Sequence, residues 1–352
     1  MNISHNLTNW YKINKRDLPW RHTSNPYKIW LSEIILQQTR VEQGIDYYYR
    51  FIERFPTIEA LAKTPIDHIL RLWQGLGYYN RAKNLHQTAK KIHFDYQGIF
   101  PSTYQDLLKL KGVGPYTAAA IASFSFNEPV AVVDGNVKRV ISRIFAIDQP
   151  INKTSVEKEI QTLADDIINN TDPATHNQAM IEFGAIQCTP KKPQCSACPL
   201  NDFCLAYKNN RVQELPVKTK PKAKKNRYFY YLVIRQNNQT LYIRQRTNAD
   251  VWNSLYEFPL IERKQPAPKE EILRSSEWEK IFEGLHPEIH RFSTQYKHVL
   301  SHQNIFATFI EISIEKSNSY LKKHFTNIPY ARLNQFAVSR LIEKYLNENP
   351  LE

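Results

Sequence analysis

Four cysteines, all lying between residues 188 and 204, are the most direct statement of chemistry in this chain. They follow the pattern Cys188-x6-Cys195-x2-Cys198-x5-Cys204, and no other thiol occurs in the 352 residues. A chain with no export pattern at its start does not keep clustered thiols as disulfides, so the four read as metal ligands. Zinc ribbons pair two C-x2-C knuckles, whereas only one pair here has that spacing. A cuboidal [4Fe–4S] cluster takes four thiolates from one compact loop without difficulty. Lys191, Lys192 and Lys208 surround the loop, either as a solvated basic surface or as partners for phosphate.

Two carboxylates stand in patterns suited to acid–base work. Glu33 lies in SNPYKIWLSEIILQQTR, where Asn25 caps and Pro26 occupies the first turn of a helix expected to run through about Gln38. Ile29 and Trp30 come one turn before Glu33 and Leu36 one turn after, an apolar setting that raises a carboxyl pKa and keeps the acid protonated for donation. The bland alternative is an exposed glutamate at the edge of a core stripe. Asp134, in Val133-Asp134-Gly135-Asn136, sits at the entrance of a helix whose Val137, Val140, Ile141, Ile144 and Phe145 form one stripe. An isolated aspartate there is ordinarily a capping residue.

The elements that must position these groups follow from periodicity. From residue 26 to about 206 apolar residues recur at helical spacing, which predicts an all-α region. Within it LKLKGVGPYTAAAIASF reads as a Leu-rich helix, a tight turn and an Ala-rich helix. Gly112 and Gly114 allow backbone N–H groups to reach a phosphate, and Lys111 adds charge. VKTKPKAKKNR, residues 217–227, holds six basic residues and no acid, and reads as a linker. Beyond it YFYYLVIRQ and QTLYIRQRT flank an Asn237-Asn238 turn, NIFATFIEISI reads as a strand, and ARLNQFAVSRLIEKYL as a closing amphipathic helix.

Forty-seven Lys and Arg against thirty-four Asp and Glu give a formal charge of +13, a field that attracts a polyanion. No apolar run approaches the roughly 18 residues of a membrane span, so neither a membrane nor export is expected; the expectation is a cytoplasmic monomer, nucleoid-associated if bacterial.

Together, the cysteine spacing, the glycine hairpin and VDGN resemble the iron–sulfur DNA glycosylases of the endonuclease III, helix-hairpin-helix superfamily, and WLSEIILQQT resembles its adenine-specific, MutY-type branch. Leu18-Pro19-Trp20-Arg21 and Gly75-Leu76-Gly77-Tyr78-Tyr79-Asn80-Arg81-Ala82 extend the likeness over about residues 16–206. WNSLYEFP and HVLSH resemble the Nudix-related lesion-sensing domain of that branch, although the acidic cluster of a Nudix hydrolase is absent and Leu300 stands where Phe is usual.

The resemblance implies a multidomain fold: an all-α helix-hairpin-helix glycosylase with its iron–sulfur loop, then an α+β Nudix-like domain. The expected domains are 1–208 (a helical barrel with hairpin at 26–130; a cluster half from 1–25 and 131–208), a linker at 209–227, and 228–352. It implies a [4Fe–4S] cluster on Cys188, Cys195, Cys198 and Cys204. It also implies removal of adenine opposite 8-oxoguanine or guanine in double-stranded DNA, with Glu33 protonating adenine, Asp134 stabilising the sugar cation and Asn136 positioning that aspartate. Gln38 and Tyr78 would enter the base stack, Arg21 would contact the flipped base or pair an acid, and Ser301 with His302 would meet the lesion. Lyase-competent relatives carry Lys at the position of Tyr116, so a monofunctional enzyme is implied, with Lys138, one turn beyond Asp134, open to weak accidental Schiff-base trapping. Open alternatives are a thymine-mismatch or bifunctional oxidised-pyrimidine glycosylase and a noncatalytic iron–sulfur DNA-binding protein; Glu33 argues against each.

Overall fold

A computed structural model describes residues 3–219, 223–248 and 250–350. The chain divides into two compact units, one of Met1–Thr64 with Lys83–Lys220, the other of Pro65–Ala82 with Pro221–Glu352. The segment Pro65–Ala82, expected within the helical barrel, therefore groups with the C-terminal unit. The expected linker is shorter than 209–227: the first strand already begins at Lys225, and Val217 O accepts a hydrogen bond from Ile151 N at 3.0 Å. Residues 220–222 of that stretch lie outside the described residues.

The first unit is helical among its described residues. Its helices are α1 (Ile3–Asn14), α2 (Pro26–Leu36), α3 (Val41–Arg54) and α4 (Ile58–Lys63), while α5 (Ile66–Trp73) belongs to the second unit. α6 (Asn80–Asp95), α7 (Tyr104–Leu107), α8 (Pro115–Phe126), α9 (Gly135–Ile144), α10 (Thr154–Ile167), α11 (Pro173–Glu182) and α12 (Leu205–Lys208) follow. The Asn25 side chain accepts from Tyr27 N and Lys28 N and Pro26 takes the first turn, so α2 starts where its sequence signals. It ends at Leu36, two residues short of the expected Gln38, because Gln38 adopts φ 55, outside the right-handed helical region. α2 is buried nearly all round and packs on α8, whose Ala118, Ala119, Ala120 and Ala122 permit close approach. The stripe Val137, Val140, Ile141 and Ile144 of α9 closes a core with Leu7, Val156, Ile160 and Met180. Each such side chain contributes about 1.5–3 kcal/mol by leaving water.

The hairpin departs from the expected pair of helices. Its first arm is the single turn α7, continued through Leu110 and Val113 by i to i+3 hydrogen bonds rather than by α-helix, which places buried Leu107, Leu110 and Val113 three apart. Gly112 alone needs to be glycine: its φ is 77, and an added Cβ would lie 2.6 Å from Asn84 Cβ. Gly114 has φ −88 and open space around its Cα, so its backbone demands no glycine.

In the second unit an eight-stranded sheet comprises β1 (Lys225–Gln236), β2 (Thr240–Gln245), β3 (Tyr256–Glu257), β4 (Leu260–Arg263), β5 (Glu288–Phe292), β6 (Tyr296–Val299), β7 (Gln303–Ile314) and β8 (Thr326–Pro329). The principal order is β3-β2-β1-β7-β5, with β4 on β1, β6 on β7 and β8 on β2. β1 and β7 run parallel from Lys225↔Gln303 to Gln236↔Ile314. Phe229, Tyr231 and Val233 enter one core and Tyr230, Leu232 and Ile234 another, which is why YFYYLVIRQ lacks polar alternation. Asn237 and Asn238, at φ 49 and 52, make the expected β1–β2 turn. Short helices α13 (Lys269–Leu273), α14 (Ser276–Ile281) and α15 (Ser319–His324) cover the second core. The expected closing helix over ARLNQFAVSRLIEKYL is split. Tyr330–Gln335 is a 3-10 turn, Val338 bridges to Tyr256, and α16 (Arg340–Glu348) begins only after Ser339, whose Oγ accepts from Ile342 N.

Candidate active site and cluster loop

Glu33 projects from the buried α2 and is itself only 7% exposed. Burial raises its carboxyl, a hydrogen bond from the Tyr116 hydroxyl lowers it, and the charge of Asp134 raises it again, leaving the pKa at about 7. Tyr116, on the first turn of α8, is pushed well above the usual phenol range by burial and by both carboxylates. Its hydroxyl therefore stays a hydrogen-bond donor. Glu33, Ser32, Leu36, Tyr116, Trp20 and Arg21 line one cleft.

Asp134 caps α9: Oδ1 accepts from Asn136 N at 2.8 Å and Val137 N at 2.7 Å. The capping reading thus describes its geometry, yet Oδ2 also accepts from Asn136 Nδ2 at 2.8 Å and the charge is felt at Glu33 and Tyr116. Burial raises the Asp134 carboxyl; the two backbone donors, the Asn136 amide and Arg139 oppose that. All three groups bonded to it are donors and it sits at a helix N-terminus, a setting that selects carboxylate over acid. Asn136 Oδ1 in turn accepts from Arg139 Nη2 at 2.9 Å, and Arg139 donates to Gly184 O and Cys188 O, so hydrogen bonds run from Asp134 to the first cysteine. Gly184 permits this approach, since a Cβ there would lie 2.6 Å from Asn136 Cβ.

The four cysteines are free and half-buried, and all border one cavity with Arg143 and Leu200. Among the described residues no three Cys, His, Asp or Glu side chains close tightly enough around one point to hold a single metal ion. Four thiols from one loop, bordering a single cavity, suit an iron–sulfur cluster. Arg143 Nη1 donates to Cys188 Sγ at 3.3 Å and Leu200 N to Cys198 Sγ at 3.4 Å, contacts that suit thiolate sulfur. Burial pushes the Cys198 thiol up to about 12, so the thiolate form at this loop requires a bound cation.

The other singled-out residues are placed as follows. Tyr78, at φ 48 and 49% exposed, is no core tyrosine; its hydroxyl lies 3.2 Å from Ser301 Oγ in the same unit. Ser301 and His302 are exposed on the β6–β7 loop, while Leu300 is half-buried against the sheet core. Gln38 and Lys111 are exposed. Lys138 is ion-paired with Glu157.

Family models match three stretches: HhH-GPD superfamily base excision DNA repair protein over residues 31–165, iron-sulfur binding domain of endonuclease III over 188–204, and NUDIX domain over 230–348. The adenine DNA glycosylase of Buchnera aphidicola subsp. Baizongia pistaciae is 36% identical over 321 residues, covering 91% of this chain and 88% of the relative. The chain belongs to the adenine DNA glycosylase family. The Mus musculus adenine DNA glycosylase is 42% identical over 217 residues, 59% of this chain and 42% of that protein. Among solved structures, a thermostable thymine-DNA glycosylase is 31% identical with a TM-score of 0.54, covering 58% of this chain and 95% of its own. An endonuclease III–DNA complex, 24% identical with a TM-score of 0.50 over 59% of this chain and 94% of its own, shares the fold. As in the endonuclease III and adenine DNA glycosylase families, a [4Fe–4S] cluster belongs to the 188–204 loop.

One buried charged group, bonded to two residues that line the cleft, escaped the reading of the sequence. Glu182, fully buried, accepts from Arg16 N at 2.9 Å, from Arg16 Nε and Nη2, and from Arg21 Nη2 at 2.7 Å. Burial alone would raise its carboxyl, but the two arginines outweigh it and hold the pKa at about 2. Arg21 thus pairs an acid while lining the cleft. No local pattern signals this, because the partners lie 161 and 166 residues from Glu182.

Proposed function

We propose that this chain hydrolyses the N-glycosidic bond of adenine mispaired with 8-oxoguanine, or with guanine, in double-stranded DNA. The observation that carries the reading is the buried Glu33 carboxyl, poised at about 7 beside Tyr116 and Asp134. A proton held near neutral pH can pass to adenine N7, turning the base into a better leaving group. As the bond from N9 to the anomeric carbon breaks, its electron pair leaves with adenine. The Asp134 carboxylate then stabilises the cationic sugar, and Glu33, now ionised, takes a proton from the attacking water. Tyr116 keeps the Glu33 carboxyl oriented through its hydroxyl and, being no amine, offers no Schiff base; Lys138, one turn beyond Asp134, is held by Glu157.

Cys188, Cys195, Cys198 and Cys204 hold the [4Fe–4S] cluster, which supplies the positive charge that keeps four neighbouring thiolates ionised. The +13 charge, Lys111 and the N–H groups of the Gly112 turn favour the phosphate backbone. Ser301, donor and acceptor at once, suits the N7 hydrogen that distinguishes 8-oxoguanine, with exposed Tyr78 beside it to stack. No described helix is long and apolar enough to cross a membrane, and work on chromosomal DNA in the cytoplasm accords with that.

Single-turnover cleavage of duplexes carrying adenine or thymine opposite 8-oxoguanine or guanine, with and without alkali, tests the reading. Adenine excision with strand breaks only after alkali is expected. Thymine excision, or nicking without alkali, would instead favour the thymine-mismatch or bifunctional enzyme.

A further inference from the structure

Tyr78 has an unusual support. It sits at positive φ at the end of a turn that also contains Gly75 and Gly77, at φ 97 and 72. Such a turn has little intrinsic preference for one shape. From one side Arg81 Nη2 donates to Leu76 O and Gly77 O, and Trp73 Nε1 donates to Gly77 O at 3.0 Å. From the other side the contacts come from residues more than 250 positions away in sequence, on and just before α16. Gln74 Nε2 donates to Glu343 Oε1 at 2.9 Å, Arg340 Nη1 donates to Gly75 O at 3.2 Å, and the Tyr79 hydroxyl donates to Val338 O at 3.2 Å. The flanks of the turn are thus held by the last helix of the C-terminal unit, and the Tyr78 hydroxyl meets Ser301 on the β6–β7 loop of the same unit.

We propose that Arg340 and Glu343 of α16 are positioning residues for discrimination of the base opposite adenine: they fix the Gly75–Tyr79 turn and thereby keep Tyr78 in register with Ser301. The inference rests on the reading of Tyr78 and Ser301 as the opposite-base reader. Neither Arg340 nor Glu343 touches DNA in this account. Arg340 is exposed and Glu343 half-buried, and neither belongs to the core of the unit formed by Leu341, Ile342 and Tyr345, so their loss leaves that core in place. Their effect passes through the turn, and it bears on preference between opposing bases rather than on proton transfer.

The test uses the full-length, cluster-loaded protein. Single-turnover rates and dissociation constants are measured at matched salt for adenine opposite 8-oxoguanine and opposite guanine. Glu343→Ala and Arg340→Met are each expected to lower the preference for 8-oxoguanine by about fivefold, the worth of one hydrogen bond, with excision opposite guanine nearly unchanged. Glu343→Gln, whose amide oxygen still accepts from Gln74, should restore the preference. Once Gln74 is alanine, Glu343→Ala should cost little more, because the bond it removes is already gone; the Gln74 contact with Arg71 is common to both members of that pair. Tyr78→Phe and Ser301→Ala run in parallel as probes of the reader. An altered preference in those two with none in Glu343→Ala and Arg340→Met would overturn the positioning role and leave the reader standing. No change in any of the four would overturn both, and an equal loss on the two duplexes would mark α16 as merely structural. Should Glu343→Ala fail to fold, Arg340→Met, at an exposed position, carries the same test.

Discussion

The cleft around Glu33 and the pair Tyr78–Ser301 solve opposite problems. Glu33 is buried, Tyr116 and Asp134 are half-buried on the α8 and α9 starts, and burial is the largest influence on the acidity of all three. In the proposed mechanism their chemistry depends on exclusion of water, which makes the Glu33 carboxyl hold its proton to about 7. Tyr78 and Ser301 are exposed and joined by one 3.2 Å contact between hydroxyls. In the proposed reading this pair meets a base edge and has to remain accessible, so its precision comes from backbone supports rather than from burial. A reacting group and a reading group thus call for different kinds of scaffold: a dry one, where each lost interaction is large, and a wet one, where each is small.

The contrast predicts a graded set of effects. Glu33→Gln keeps the shape of the side chain but has no proton to give, and should lower single-turnover excision by roughly 10²- to 10⁴-fold with duplex binding nearly intact. Substantial residual excision would remove Glu33 from the mechanism. Asp134→Asn should come next: its amide oxygen can still cap α9, so the fold survives while the sugar cation loses its counter-charge, at a cost of roughly 10²-fold or more. Normal turnover in that variant would reduce Asp134 to its capping role.

Acidity offers a second way to probe the dry site. Excision that needs protonated Glu33 should fall as pH rises through about 7. A flat profile over that interval would contradict the assignment. Stability should follow the same group. Its folded pKa lies above the ordinary carboxyl value, so the proton's contribution is fully present below that ordinary value and is lost as pH rises through about 7. Wild type should therefore lose up to about 3 kcal/mol relative to Glu33→Gln over this interval, read as diverging denaturation midpoints. Parallel midpoints would mean that Glu33 is not desolvated.

Tyr116→Lys would put an amine where the phenol meets Glu33, and borohydride should then trap a covalent DNA adduct above the level given by Lys138. Absence of trapping would separate Tyr116 from the sugar. The smallest effect belongs to the exposed pair: Ser301→Ala should reduce the preference for 8-oxoguanine over guanine by about 1 kcal/mol, leaving adenine excision opposite guanine almost untouched. A loss as large as that of Glu33→Gln would erase the distinction between the two regions.

Much of this was legible before any coordinates. Local signals determined what they act on locally: Asn25 and Pro26 start α2, Asp134 caps α9, the α9 stripe faces a core, Asn237 and Asn238 turn a hairpin, and four cysteines gather in one loop. Such features depend on neighbours within a turn or two, so the order of residues contains them. The length of the hairpin's first arm and the division of the closing helix at Ser339 were misread, because burial at i+3 spacing and a bridge from Val338 to Tyr256 overrode helical periodicity. Only tertiary structure decided that Arg16 and Arg21 converge on Glu182, that Arg139 reaches Cys188, and that the turn before Tyr78 is held by α16. Those contacts join residues from tens to hundreds of positions apart. Whether a charge there is paired, buried or exposed depends on which distant segment packs beside it, and no local pattern of residue types encodes that.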